Sequence, residues 1–386
     1  MQFAPSAEQQ LIRDSARDFL AARAAPEQLR AALHTPCGYD AELWRQMAGE
    51  LGWSGLAIAA QYGGAGLGWV ELCILQEEMG RRLVASPFFA TAALAAPLIA
   101  AAGSEAQRSA LLKRIAAGQT RIACALNGID GRPACEGVAV ALAQTETGHT
   151  LSGVSDFVIH AVGADLFLVL ARSGPEIDAA ISVAVLPAGT PGISVQPHVM
   201  LDLTRPMARL EFDAVPVSAA QLLGAPGAAR AAVERALCMA RVALAAEALG
   251  GAERVVEMTT EYVKQRVQFG RPIGSFQAVK HRLADMMVEL EAARSLAWYA
   301  ACVVDEGGAE LAAAAASAKS YCCDAFFDCA ASAIQLHGGI GYTWEHEAHL
   351  YFKRARATAT LLGSPAWQRE RLVRLIASGA AATPAF

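Results

Sequence analysis

A chain of 386 residues exceeds one typical domain of about 100–200 residues and points to two or three, with length enough for a large core. Apolar residues make up 54% and charged residues 18%, the profile of a globular protein rich in buried helix, which excludes a disordered or fibrous chain. A formal charge of -5 gives a nucleic-acid partner no support.

The first residues, MQFAPSAEQQ, show no basic region followed by an apolar run, so a signal peptide is not expected and a cytoplasmic location is. From Ser6 to about Gly118 the pattern is helical, beginning with Ser6 as a capping candidate and apolar residues at three- and four-residue spacing. Glycine-rich QYGGAGLG (61–68) punctuates two helices and contains no complete dinucleotide fingerprint. LVASPFFATAALAAPLIAAA (83–102) is apolar but Ala-rich and interrupted by Pro87 and Pro97, which predicts buried helix and no membrane span.

Between about Thr120 and Val217 the period changes to two. RLEFD (209–213) alternates, LFLVLA (166–171) is a buried-strand run, and TETGH (145–149) has the composition of a hairpin turn. From about Pro226 the pattern returns to long helices: about 228–266, Ser275 to about 305, about 309–336, about 344–362, and a short last one opened by Ser364-Pro365. The expectation is an α+β protein with an N-terminal helical domain (1–118), a middle β domain (119–225) and a C-terminal four-helix bundle domain (226–386). Nine scattered cysteines without a CxxC pair read as reduced thiols, mostly core filler.

Three stretches carry candidate chemistry. In QLHGGIGYTWEHEAHLYFKRAR (335–356), His346 and His349 with Glu345 and Glu347 raise a metal reading. Carboxylate-bridged bundle sites, however, need Glu-x-x-His pairs from several helices, and the only such pair is Glu146 to His149; no metal is expected. Gly338, Gly339 and Gly341 stand where one helix ends and another begins, a position that suits both a turn and close backbone approach to a ligand. The dense basic patch Lys353, Arg354 and Arg356 marks one face or end of a helix.

The second stretch, RVQFGRPIGSFQ (266–277), ends one long helix and starts another at a Ser275 cap. It gathers an arginine able to pair with phosphate and a phenylalanine able to lie on an aromatic ring, or it is an ordinary interhelical turn. The third, ALCMARVALAAEALGGA (236–252), holds only two charges, Arg241 and Glu247, about 120 degrees apart around a helix and so not natural partners. A carboxylate in an apolar groove holds its proton more readily, which suits a general base near neutrality; an interhelix salt bridge is the other reading.

Together these stretches resemble the acyl-CoA dehydrogenase superfamily over essentially the whole chain. QLHGGIGYTWEHEAHLYFKRA resembles its C-terminal signature and RVQFGRPIGSFQ its FAD-contacting turn. The resemblance implies the cofactor FAD, with Gln335, Gly338 and Gly339 meeting a cofactor bound mainly by a neighbouring subunit. It further implies Arg266 at the pyrophosphate, Gln268 and Phe269 near the adenosine, and Gln277 completing that corner. Phe157 takes the place where the family has a tryptophan packed on the flavin, Ile159 stands where a threonine is usual, and Arg241 matches an arginine of the substrate-binding region.

Family chemistry removes a proton from the carbon next to the thioester while hydride leaves the following carbon for the flavin, so a carboxylate and the flavin face opposite sides of one bond. At the two familiar base positions this chain has Leu362 and Ala240. Glu247, two helical turns and about 10 Å beyond Ala240, is the remaining candidate. Similar bacterial members acting on bulky or sterol-derived thioesters carry a glutamate in such an AAE segment, so fatty-acid or sterol side-chain catabolism is implied. The implied partners are an acyl-CoA substrate, an electron-transfer flavoprotein, and further subunits in a homotetramer or a heterotetramer with a related chain. The loop LNGIDGRPACEG (126–137) replaces the family's usual acidic, glycine-rich one. A catalytically silent partner subunit and a flavin oxidase or monooxygenase on the same scaffold are the alternatives.

Overall fold

The computed structural model describes residues 4–127, 134–146, 148–174 and 180–379. In chain order, α1 (Ala7–Arg23), α2 (Pro26–Leu33), α3 (Ala41–Arg45), α4 (Trp69–Arg81), α5 (Ala96–Ala102) and α6 (Glu105–Ala116) come first. The strands β1 (Ile122–Ala125), β2 (Ala141–Gln144), β3 (His149–Ile159), β4 (Leu166–Ser173), β5 (Ala180–Pro187), β6 (Ile193–Pro197) and β7 (Met207–Val217) follow. The remainder is α7 (Arg230–Gln265), a small hairpin of β8 (Val267–Gln268) and β9 (Arg271–Pro272), α8 (Gln277–Glu306), α9 (Leu311–His337), α10 (Ala348–Thr360) and α11 (Pro365–Ala377). This is the α+β architecture the periodicity predicts. No helix among the described residues is long and apolar enough to cross a membrane.

Local signals act as expected at several element ends. Ser6 and Gln9 form a reciprocal capping box on α1, and Ser364 caps α11 with Pro365 at its first turn. The Ser275 expectation is corrected: α8 begins at Gln277 behind Phe276, because a one-turn 3-10 segment, Ile273–Ser275, takes the chain into the helix and leaves the serine hydroxyl with no cap to make.

The three zones of the sequence regroup into two compact units. One contains Met1–Arg30, Trp69–Val84 and Arg241–Phe386; the other contains Ala31–Gly68 and Ala85–Ala240. In the second unit the sheet runs β1-β4-β2-β3-β7-β6, with β5 also paired to β4. The β2–β3 hairpin sets Gln144 opposite His149, and the Thr145 amide donates to the Gly148 carbonyl; Thr147 of the TETGH turn lies outside the described residues. One apolar cluster, including Phe167, Val169, Leu151, Leu210 and Phe212, fills the sheet's interior.

In the first unit α9 is the central element, packed on α8, α10 and α11. Its Ala-rich first half allows close helix approach, and Phe326 fills the remaining space, an aromatic burial worth about 1.5–3 kcal/mol. Helices α4 and α7 cross backbone to backbone. A Cβ at Gly80 would lie 2.1 Å from the Glu247 carbonyl oxygen, and one at Gly250 would lie 1.8 Å from that of Glu77, so only glycine permits the crossing. That contact fixes where Glu247 stands.

Candidate active site

The apolar middle of α7 carries both charges singled out in the sequence, and both are buried. They do not pair with each other. Arg354, from the buried face of α10, donates through Nη1 to Glu247 Oε1 at 2.8 Å. Of the two readings the sequence left open for this carboxylate, the interhelix salt bridge is the one present, with a guanidinium reaching it from 107 residues away. Arg354 is also not part of a solvated basic face, for it is buried while Arg356 is exposed.

Arg241 donates through Nε to the Leu362 carbonyl at 3.0 Å, and its guanidinium lies 5.2 Å from the Trp367 ring centroid. Gln368 donates to the same carbonyl at 2.9 Å. Leu362 itself is buried and left-handed (φ 55°), a conformation costly for a branched side chain and held here by those two donors. One turn earlier, the fully buried Lys319 ammonium donates to the Thr358 and Ala359 carbonyls at 2.9 and 3.2 Å, capping the C-terminal end of α10 with positive charge. The Glu247–Arg354 pair and the Arg241–Leu362 contact are thus two buried polar links that tie α7 to α10 and to the turn after it.

On the other face of α7, Ala246 and Leu249 line a cavity of about 520 Å³ together with Val70, Ile74, Trp298 and charged residues such as Arg13 and Glu77. Glu247 is not among its lining residues.

The 266–277 turn is a hairpin whose tip, Phe269-Gly270, has positive φ at both residues (54° and 76°). Phe269 keeps its ring 90% exposed, with Phe276 edge-on at 6.0 Å. Arg266, Gln268 and Gln277 are exposed beside it; the Gln268 amide turns back to the Val267 carbonyl, and Arg266 makes no ion pair among the described residues. The hairpin thus presents a free guanidinium, an aromatic face and amides on one small platform.

At the end of α9, Gly338 adopts φ 65° and ψ −142°, which ends the helix, and both Gly338 and Gly339 are exposed with nothing within 4 Å of a would-be Cβ. Gln335 is exposed on the preceding turn. Beneath them His337 stacks on Tyr262 at 4.3 Å and leans on His346 at 4.4 Å, while Tyr262 donates to the His337 carbonyl. His349 meets Trp344 edge-on. Burial is the main reason that all three imidazoles are shifted toward the neutral form, His349 down to about 4. Among the described residues no group of three or more His, Cys, Asp or Glu side chains could hold a metal ion.

In the sheet unit, β3 carries an irregularity: Ser155 faces Leu210 and Val158 faces Ala208, so Asp156 and Phe157 together oppose a single residue of β7. Phe157 is left-handed (φ 55°) and 39% exposed. Ile159 is buried and paired with Met207, so this position offers no exposed side chain. Of the 126–137 loop, residues 128–133 lie outside the described residues, and Asn127 accepts from the Ser155 hydroxyl at 2.8 Å.

Residues 6–119 match the acyl-CoA dehydrogenase N-terminal domain, and residues 227–377 match the acyl-CoA dehydrogenase C-terminal domain. The chain belongs to the acyl-CoA dehydrogenase family. It is similar to the acyl-CoA dehydrogenase IpdE2 of Mycobacterium tuberculosis, 38% identical over 96% of this chain and 97% of that one. Among solved structures, a steroid ACAD, Tcur3481-Tcur3483, shares 34% identity and a TM-score of 0.86 over 97% of this chain and 99% of that one. The ChsE4-ChsE5 complex from Mycobacterium tuberculosis matches over 100% of both chains with 29% identity and a TM-score of 0.89.

This acyl-CoA dehydrogenase is accordingly an enzyme, and its family implies a flavin cofactor. Its sequence drew attention to Arg241 and Glu247 because charges are rare in the middle of α7, and to Arg354 only as part of a basic patch, with no role assigned to Lys319 or Gln368. Arg354 and Gln368 lie in polar stretches where such side chains are ordinary, and only burial sets them apart; Lys319 is the lone charge between Glu310 and Asp324 and was conspicuous by the same rule as Arg241 and Glu247.

Proposed function

We propose that this acyl-CoA dehydrogenase carries out FAD-dependent α,β-dehydrogenation of an acyl-CoA thioester, with Glu247 as the base. The observation that carries this reading is the buried Glu247–Arg354 pair in the otherwise apolar middle of α7. A buried ion pair adds little stability over apolar packing of the same volume, which leaves room for a chemical role. Arg354 fixes the carboxyl group in one orientation and balances its charge; Glu247 receives the proton from the carbon next to the thioester at a carboxyl oxygen.

Bound FAD would supply the hydride acceptor for the neighbouring carbon. The exposed residues fit such a group. The unpaired Arg266 suits a pyrophosphate, the outward Phe269 ring an adenine, and the Gln268 and Gln277 amides its polar edges. Open space over Gly338 and Gly339, next to Gln335, suits a cofactor held mainly by a second subunit, and Phe157 offers an aromatic face to the flavin. Arg241, engaged with the Leu362 carbonyl and Trp367, acts on the substrate region by holding the 361–364 turn. Electrons pass on to an electron-transfer flavoprotein, and the assembly is a tetramer. Similarity to a steroid ACAD supports a bulky, sterol-derived acyl group.

A silent-subunit reading draws on a different observation: Leu362 and Ala240, at the two familiar base positions, are both buried and apolar, and the similar ChsE4-ChsE5 structure is a complex of two chains. Glu247→Gln separates the readings. Removing the base is expected to slow flavin reduction by acyl-CoA at least 1,000-fold, a loss of about 4 kcal/mol of transition-state stabilisation, with FAD content unchanged. Reduction at the wild-type rate in stopped-flow absorbance would remove Glu247 from the chemistry.

A further inference from the structure

The bulge that exposes Phe157 has a built support. The Phe157 amide donates to Asp156 Oδ1 at 3.0 Å, an arrangement that stabilises the left-handed turn of the chain at this residue. The same carboxylate oxygen accepts from His198 Nε2. The His198 ring then lies on the Phe157 ring, with centroids 5.3 Å apart and planes inclined by 27°. His198 is itself anchored, since its amide donates to the Met207 carbonyl at 2.9 Å where β7 begins. Asp156 is buried, and its backbone amide donates a hydrogen bond to the Asn127 carbonyl.

An aromatic ring on a left-handed bulge would ordinarily sample several rotamers, and the bulge itself would relax toward extended backbone. Here one face of the ring is covered by an imidazole whose position is set by a buried carboxylate, and that carboxylate also fixes the backbone of the ring's own residue. The three side chains form a closed loop of contacts: Asp156 to the Phe157 amide, Asp156 to His198, His198 to the Phe157 ring. Neither Asp156 nor Phe157 belongs to the sheet's apolar cluster, which takes up the next residue, Val158.

We propose that His198, acting with Asp156, is a positioning residue that holds Phe157 as a rigid aromatic platform for the flavin ring. The inference rests on the cofactor reading above. It assigns His198, a residue in a loop that carries no motif, a role in cofactor geometry through Phe157 and not through direct chemistry. The imidazole contributes both a hydrogen bond and a ring face, so two substitutions divide its role. His198→Gln keeps a donor for Asp156 and loses the stack; His198→Phe keeps the stack and loses the donor.

The test compares full-length wild type with His198→Ala, His198→Gln and His198→Phe by two measurements. In flavin-free protein, hydrogen exchange of the Phe157 amide is expected to quicken at least 10-fold in His198→Ala and less in the other two. In protein titrated with FAD, His198→Ala is expected to bind at least 10-fold more weakly and to change the visible circular dichroism of the bound flavin, again with intermediate behaviour of the other variants. Unchanged exchange, affinity and dichroism in His198→Ala, with a wild type that binds FAD, would overturn the inference and leave the functional reading standing. A wild type that takes up no FAD would overturn both.

Discussion

His349 shows how a single side chain couples this fold to pH. Burial, followed by the positive charges of Lys353 and Arg30 and by His346, pushes its imidazole down to about 4, against about 6.5 in an unfolded chain. Between those values the unfolded chain binds a proton that the folded one refuses, so stability rises with pH across the window. The contribution is complete above about pH 6.5 and is lost as pH falls toward 4. His337 and His346 are shifted in the same direction, again mainly by burial. His349→Phe is expected to reduce the fall in Tm between pH 7 and pH 5 by a few degrees in calorimetry; an equal fall in variant and wild type would contradict this account. At the same scale, sequence reading located Arg241 and Glu247 because they are conspicuous in α7. It did not locate Arg354 or Gln368, since their importance comes from burial against residues 107 and 6 positions away.

Among elements, α10 and the turn after it depend most on long-range partners. The last carbonyls of a helix lack intrahelical donors, and at α10 two of them point into the bundle, where water cannot serve them. Lys319 of α9 fills that need, and the 361–364 turn then hangs from Arg241 and Gln368. Lys319→Met keeps most of the side-chain volume and removes both donors. It is expected to cost about 1–3 kcal/mol in denaturant unfolding, the usual penalty for stranding buried acceptors. A change below 0.5 kcal/mol would mean that the carbonyls find other donors. Helix starts at Ser6 and Ser364 were legible because capping is a local code, whereas the α8 start was displaced from Ser275 to Gln277 by a 3-10 turn that follows directly on the β8–β9 hairpin. Strands were legible from period two and from the continuous apolar run of β4.

In the whole molecule, the order helix, sheet, helix follows directly from periodicity, but the compact units do not follow chain order. Helices α1 and α4 join the C-terminal helices through charges no local pattern reveals: Glu78 of α4 accepts from Arg13 and Arg17 of α1, and Arg294 of α8 reaches both Glu77 and Glu253. Sequence separations of about 60 to over 200 residues place such pairings beyond local reading, while the Gly80 and Gly250 crossing shows why they are geometrically possible. Family likeness over nearly the full length supplies the remaining constraint, an acyl-CoA dehydrogenase with an implied flavin. On the reading proposed above, this chain by itself oxidises an acyl-CoA. The most direct test of that claim is the visible spectrum of the purified protein, loaded with FAD, before and after anaerobic addition of straight-chain and sterol-derived acyl-CoA thioesters. Bleaching of the flavin band by at least one thioester is the predicted result; a chain that binds FAD yet keeps its full absorbance with every thioester would contradict the claim and favour a silent subunit of a mixed assembly.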